Sequence, residues 1–172
     1  TSPSFVEHFR NYAKEAVATA QLKAGDFVLE FGSNDSTMLK AIKQLEPEAR
    51  ILGVDPAIKI AEKASRDGIP TAPVFFNRTT AAAFKETHGP AKLILANNVF
   101  AHADDLAGMG QGVHDLLAEN GVFIFEVQYA ADLFEHSLFD LVYSEHLSFH
   151  SVKPLVSFVQ SLDLELVHVK RV

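Results

Sequence analysis

The alternation of short apolar runs with amphipathic segments constrains the fold of this chain more than any other feature. The apolar runs cover 27–32, 50–55, 73–76, 92–97, 121–129 and 164–169. Apolar residues at helical spacing predict helices over 4–20, 35–46, 57–67, 79–87, 104–118 and 152–162. Strands that alternate with helices predict an α/β fold with a mostly parallel sheet and helices on both of its faces. The nearly continuous apolar character of the strands agrees, because such a sheet is covered on both sides.

Length and composition limit the classes of protein that fit this pattern. The 172 residues suit one domain over 1–172, with an N-terminal helix in 1–20 and the α/β unit in 21–172. The chain has no cysteine, which excludes thiolate metal sites and a cysteine nucleophile within it. Its net charge of −7 disfavours nucleic acid as a partner. No apolar run approaches the roughly 20 residues of a membrane span, so we expect no membrane partner and a cytoplasmic location.

Ligands of an open parallel sheet bind at the carboxyl ends of its strands, and the first of these ends is acidic. Glu30, Gly32 and Asp35 follow or end the first strand, and Asp55 ends the second. A single glycine gives little support for a phosphate-binding loop. The carboxylates suit a cofactor with a cationic amino-acid end and a ribose, and S-adenosylmethionine has both. A structural alternative is that Asp35 caps a helix and binds nothing.

The end of the fourth strand carries amides and a histidine. Asn97 and Asn98 are placed to bridge cofactor and substrate, and His102 follows them closely. Imidazole titrates near neutrality, so His102 could carry a proton or donate to an oxyanion. The alternative is a histidine at a helix end with no catalytic role.

A compact acid/base group stands before the last helix. It consists of Tyr143, Glu145 and His146. A carboxylate can orient an imidazole, and a tyrosine hydroxyl can donate to a developing oxyanion. The alternative is an aromatic loop that closes the domain. A zinc site on His146 and His150 is disfavoured because no third ligand is evident, so we expect no metal.

Five blocks in order resemble the sugar C-methyltransferases, class I enzymes that use S-adenosylmethionine to make branched deoxysugars. The blocks are GSND at 32–35, GVDPA at 53–57, ANNVFAH at 96–102, GVFIFEVQY at 121–129 and YSEHLSFHS at 143–151. The likeness covers about residues 5–172, and YSEHL is its most family-specific part. It implies a Rossmann-like methyltransferase fold and methyl transfer to the carbon next to the keto group of a nucleotide-linked 4-keto sugar.

The resemblance also implies roles for individual residues. Cofactor binding would fall to Gly32, Asn34 and Asp55, with Asn98 lining the site. The residues facing the sugar would be His102, Tyr143, Glu145 and His146, with His146 as the base that removes a proton from the sugar.

The chain departs from the family's pattern in several places. Ser36 stands where the family usually has glycine, and Gln128 stands where it usually has proline. The family's amino-terminal zinc domain and its carboxyl-terminal domain are not in this sequence. We also expect the final antiparallel strand of the sheet to be absent, which would leave 164–169 at an exposed edge.

Three other functions fit parts of the pattern. One is methyl transfer to oxygen or nitrogen of another small molecule, which needs no enolate and would tolerate changes at Tyr143 and His146. Another is a cofactor-binding module without turnover. A nicotinamide-dependent reductase is the third, and the lone glycine of 32–36 argues against it. The acceptor is a small molecule in the enzyme readings, and the oligomeric state stays open.

Overall fold

A parallel sheet forms the centre of the molecule. The computed structural model describes residues 3–138, 142 and 146–172. Within them, five strands pair in parallel in the order β3-β2-β1-β4-β5. The strands are β1 Phe27–Phe31, β2 Arg50–Val54, β3 Thr71–Ala72, β4 Ala91–Asn97 and β5 Leu117–Glu126. The predicted parallel α/β fold is confirmed.

Helices cover both faces of this sheet, as predicted. They are α1 Pro3–Ala20, α2 Thr37–Leu45, α3 Ile58–Arg66, α4 Arg78–His88, α5 Leu106–Leu116, α6 Ala130–Glu135 and α7 Val152–Gln160. The chain has two hydrophobic cores, one on each face of the sheet. Val28 of β1 belongs to the core formed with α1 and α2, whereas its neighbours Phe27 and Leu29 belong to the core formed with α4 and α5. In the described part of the chain, no helix combines the length and the apolar character needed to cross a membrane.

The third strand lies earlier than the sequence pattern predicts. It comprises Thr71 and Ala72, and the apolar run 73–76 follows it instead of forming it. Phe76 turns into the core and stacks on Phe31, with ring centroids 4.3 Å apart. Val74 also packs on this core, whereas Phe75 is exposed, so hydrophobicity alone did not locate the strand.

The predicted strand over 164–169 is wrong. The structure assigns this segment to no strand, and Val167 is 72% exposed. Leu164 still packs on the core formed with α4 and α5. Beyond the segment, Lys170 and Arg171 form ion pairs with Glu15 and Asp132 on α1 and α6. An alternating apolar pattern indicates only which side chains are suited to burial. A strand also needs backbone hydrogen bonds to a neighbouring strand, and 164–169 does not pair with β5.

Candidate active site

The carboxyl ends of β1 and β4 open into one cavity of about 200 Å³. Six of the predicted cofactor residues line it, namely Glu30, Gly32, Asn34, Asp35, Asn97 and Asn98. Phe5 and Phe9 of α1 form another part of its wall. The structure therefore brings together residues that the sequence placed at separate strand ends.

The loop after β1 is held in an unusual backbone conformation. Gly32, Asn34 and Ser36 all have positive φ, at 67°, 46° and 59°. At Gly32 a Cβ atom would lie 2.8 Å from carbons of Val99, so only glycine fits. The backbone N–H of Gly32 donates to the Val54 carbonyl at 2.8 Å, which folds the loop over the end of β2. Ser36, where the resembled family has glycine, thus occupies a conformation that glycine favours.

Asp55 adjoins this loop through its carboxylate. One oxygen accepts the backbone N–H of Asn34 at 3.0 Å, and the other accepts that of Ala57 at 2.9 Å. The residue is 8% exposed. Each carboxylate oxygen can accept more than one hydrogen bond, so the fixed group keeps capacity for the hydroxyls of a ribose.

Glu30 is a buried acid at the floor of the cavity. It is 3% exposed, and its Oε1 accepts the side-chain amide of Asn97 at 2.9 Å. Neither Glu30 Oε2 nor Asn97 Oδ1 has a hydrogen-bond partner among the described residues. Burial raises the pKa of Glu30 to about 8, against the smaller lowering effect of the Asn97 hydrogen bond. Glu30 and Asn97 both line the cavity, so a ligand with a cationic donor such as an ammonium group would give these oxygens a partner and would favour the ionised form of Glu30.

Asp35 lies one residue before Ser36, the N-cap of α2, so it is not itself the predicted helix cap. It lines the cavity, and its Oδ1 accepts both the backbone N–H and the hydroxyl of Thr37, at 3.2 and 2.6 Å. The side chain thus supports the first turn of α2. This bond is the structural function expected of a residue that precedes a helix.

The predicted acceptor side contains a pair of histidines. The rings of His102 and His146 lie with centroids 5.1 Å apart, and His146 is 8% exposed. His102 ends the one-turn 3₁₀ helix Phe100–His102. The carbonyl of Ala101 accepts the backbone N–H groups of Leu147 and Ser148, at 3.1 and 3.2 Å, and so holds the following segment against that helix. Tyr143 and Glu145 lie outside the described residues.

His150 is an internal packing residue. Its Nε2 lies 3.1 Å from the hydroxyl of Ser148, and its ring packs on Phe100. Burial lowers the pKa of His150, which favours the neutral imidazole. The partner that the sequence did not identify is therefore a serine two residues away.

The comparisons with known proteins decide the family. The model of the family described as "Methyltransferase domain" matches residues 5–169. The chain belongs to the methyltransferase-domain family. The predicted methyltransferase class is confirmed at the level of this family.

One similar protein is named C-methyltransferase NovU, from Streptomyces niveus. It is 35% identical to the methyltransferase domain over 166 residues, which cover 96% of this chain and 39% of NovU. The chain thus spans well under half of this relative's length.

Solved structures show the same fold at low sequence identity. A complex of the Haloferax volcanii Trm112 methyltransferase activator and a methyltransferase matches with a TM-score of 0.72 and 15% identity, over 96% of this chain and 75% of that one. The plantazolicin methyltransferase BpumL in complex with SAH matches with a TM-score of 0.64 and 14% identity, over 90% of this chain and 60% of that one.

Sequence reasoning missed the contribution of α1 to the site of this methyltransferase domain. His8 stands on α1 near the cavity-lining Phe5 and Phe9, and its Nε2 lies 2.6 Å from Glu126 Oε2. Glu126 ends β5 and was not among the predicted site residues. Aromatic side chains at positions 5, 8, 9 and 12 were the available signal, because this spacing puts them on one helix face.

A group of possible metal ligands lies away from the cavity. Asp132, Glu135 and His136 of the α6 region bring their ligand atoms within 4.8 Å of one another. The guanidinium of Arg171 contacts all three side chains. Because a positive charge already lies among these atoms, the group is better described as an ion-pair network than as a cation site.

Proposed function

We propose that this methyltransferase domain binds S-adenosylmethionine in the cavity at the ends of β1 and β4. The domain then transfers the methyl group of this cofactor to the carbon beside the keto group of a nucleotide-linked deoxysugar. The observation that carries the proposal is that Glu30 and Asn97 line the cavity and each keeps a buried side-chain oxygen without a hydrogen-bond partner among the described residues, near the fixed carboxylate of Asp55. The 35% identity with a protein named a C-methyltransferase supports carbon as the methylated atom.

The residues present fit two parts of the cofactor, its amino-acid end and its ribose. Glu30 and the Asn97 side chain would accept hydrogen bonds from the ammonium of its amino-acid end. Asp55 would accept the hydroxyls of its ribose. The described lining residues include no lysine or arginine, in agreement with a cofactor that has no phosphate. When bound, the cofactor supplies an electrophilic methyl group on a sulfonium.

The acceptor chemistry assigns the remaining residues. A sugar carbon becomes nucleophilic only when a proton next to the carbonyl is removed. In this proposal His146 takes that proton, and His102 donates to the enolate oxygen, with Tyr143 as a second donor and Glu145 orienting the group. The enolate carbon then forms a bond to the methyl carbon as the methyl–sulfur bond breaks.

A test separates carbon methylation from methylation at oxygen or nitrogen. The wild-type domain is incubated with a nucleotide-linked 4-keto-deoxysugar and S-adenosylmethionine carrying a ¹³C methyl group, and the product is examined by NMR. We expect the label on the carbon beside the ketone. A label on oxygen or nitrogen would contradict the proposal.

The His146→Ala variant tests the base. We expect turnover to fall by about 10²–10⁴-fold, the usual contribution of a general base, with affinity for S-adenosylhomocysteine within twofold of wild type. Exchange of the sugar's α-proton with deuterated solvent, measured with S-adenosylhomocysteine bound, should disappear as well. His168→Ala, at an exposed position, is the matched control. Normal turnover in His146→Ala removes the assignment.

A further inference from the structure

The side chain of Glu126 holds two different elements at once. Its Oε2 lies 2.6 Å from His8 Nε2 of α1, and its Oε1 accepts the side-chain amide of Asn98 at 3.1 Å. The backbone carbonyl of Glu126 also accepts the N–H of Asn98 at 2.8 Å. Glu126 ends β5 in register with Asn97, so these contacts lie at the edge of the sheet where the cavity opens.

Both partners of Glu126 belong to elements that form the cavity wall. Asn98 lines the cavity directly, in a left-handed conformation with φ 55°. His8 lies on α1 between Phe5 and Phe9, which also line the cavity. The ring of His8 packs against both phenylalanines, with centroids 6.2 and 5.4 Å away. Movement of α1 away from the sheet would therefore open the cavity and break the contact between His8 and Glu126 together.

We propose that Glu126 is a positioning residue that ties α1 to Asn98 and thereby keeps the cofactor's amino-acid end enclosed. This inference rests on the proposed cofactor site. Partly buried hydrogen bonds to a charged group are stronger than exposed ones, since water competes less for the partners. Release of the cofactor then requires α1 to separate from Glu126, so the contact sets the rate at which the cofactor leaves.

The dissociation rate of S-adenosylhomocysteine tests this inference. In His8→Ala we expect the rate to rise about tenfold, which corresponds to the loss of one hydrogen bond to a charged partner. His8→Gln keeps a side-chain N–H that can reach Glu126 and should restore slow release. In the double variant His8→Ala/Glu126→Gln we expect little further increase beyond His8→Ala alone, because Glu126→Gln weakens the same contact by removing its charge.

The chain offers a matched control on the same helix. Glu15 of α1 forms an exposed ion pair with Lys170 at 2.6 Å and is absent from the cavity lining. Glu15→Gln should leave the dissociation rate within twofold of wild type. An equal increase in Glu15→Gln and His8→Ala would show a general loosening of α1 and overturn the inference, as would an unchanged rate in His8→Ala.

The two proposals fail in different ways. A wild-type domain that binds no S-adenosylhomocysteine would overturn the cofactor site and the role of Glu126 with it. A wild type that binds, with release unaffected by His8→Ala, would overturn the role of Glu126 alone. The melting temperature of each unliganded variant shows whether a faster release comes from the opened cavity or from loss of the fold.

Discussion

Glu30 makes the stability of the fold depend on pH. Its carboxyl is buried beside Asn97, and burial raises its pKa to about 8. In the unfolded chain the pKa lies near 4.5. Between these values the folded state holds a proton that the unfolded state releases, so stability is lost as the pH rises from about 4.5 to about 8.

The variant Glu30→Gln isolates this effect. Glutamine keeps an oxygen for the Asn97 amide and has no charge to bury, so the variant should gain stability over wild type as the pH rises from 5 to 8.5. The gain should be on the order of 4 kcal/mol at most. Thermal melts at both pH values measure it, with Glu62→Gln at an exposed position as control. If the melting temperatures of Glu30→Gln and wild type changed by the same amount between the two pH values, Glu30 would not be a buried acid.

At the residue scale, the acidic side chains of the cavity could be predicted from the sequence, but the hydrogen-bond partners of the site residues could not. Glu30 and Asp55 could be predicted because the ends of apolar runs mark strand ends. The contact between His8 and Glu126 joins residues 118 positions apart, and no local pattern reports such a pair. The side-chain bond between Ser148 and His150 was missed for a different reason, since it depends on the rotamers of buried side chains.

Among the elements, the loop after β1 needs glycine at position 32 both for its backbone conformation and for the close approach of Val99, whereas Gly25 before β1 meets only the first condition. Gly32 has φ 67°, and a Cβ there would meet Val99 at 2.8 Å. Gly25 has φ 80°, yet nothing lies within 4 Å of where its Cβ would be. The two positions share a backbone conformation that L-residues avoid and differ in the space around them.

Alanine at each position separates strain from steric overlap. Gly25→Ala should cost about 1–2 kcal/mol of unfolding free energy from the left-handed conformation alone. Gly32→Ala should cost about 1–3 kcal/mol more, because Val99 must shift, and it should also weaken binding of S-adenosylhomocysteine. Urea denaturation and calorimetry measure the two effects. Equal stability losses with intact binding in Gly32→Ala would contradict the close approach of Val99.

Most elements could be predicted from periodicity, and the exceptions share a cause. In the runs 73–76 and 164–169 only Val74, Phe76 and Leu164 pack on the core, and a strand also requires backbone partners that the sequence does not reveal. The glycines of α5 did not prevent a helix. Gly112 instead lets the backbone of Arg78 approach, where a Cβ would lie 3.2 Å from it.

For the molecule as a whole, the parallel sheet explains why distant segments form one site. The loop after β1, the end of β4 and the amino-terminal helix meet only because parallel strands end at the same edge. A larger concavity of about 680 Å³ lies elsewhere, beside α4, α5 and the start of β5, and contains none of the predicted site residues. The proposed site therefore rests on the chemistry of the strand ends and not on cavity size.

Calorimetric titration of the domain with S-adenosylhomocysteine tests the central claim most directly. We expect one binding site, binding about tenfold weaker in Asp55→Asn because one charged acceptor is lost, and wild-type affinity in the exposed control Asp67→Asn. NAD should give no heat. Heat from NAD with none from S-adenosylhomocysteine, or unchanged binding in Asp55→Asn, would contradict a cofactor site at the ends of β1, β2 and β4.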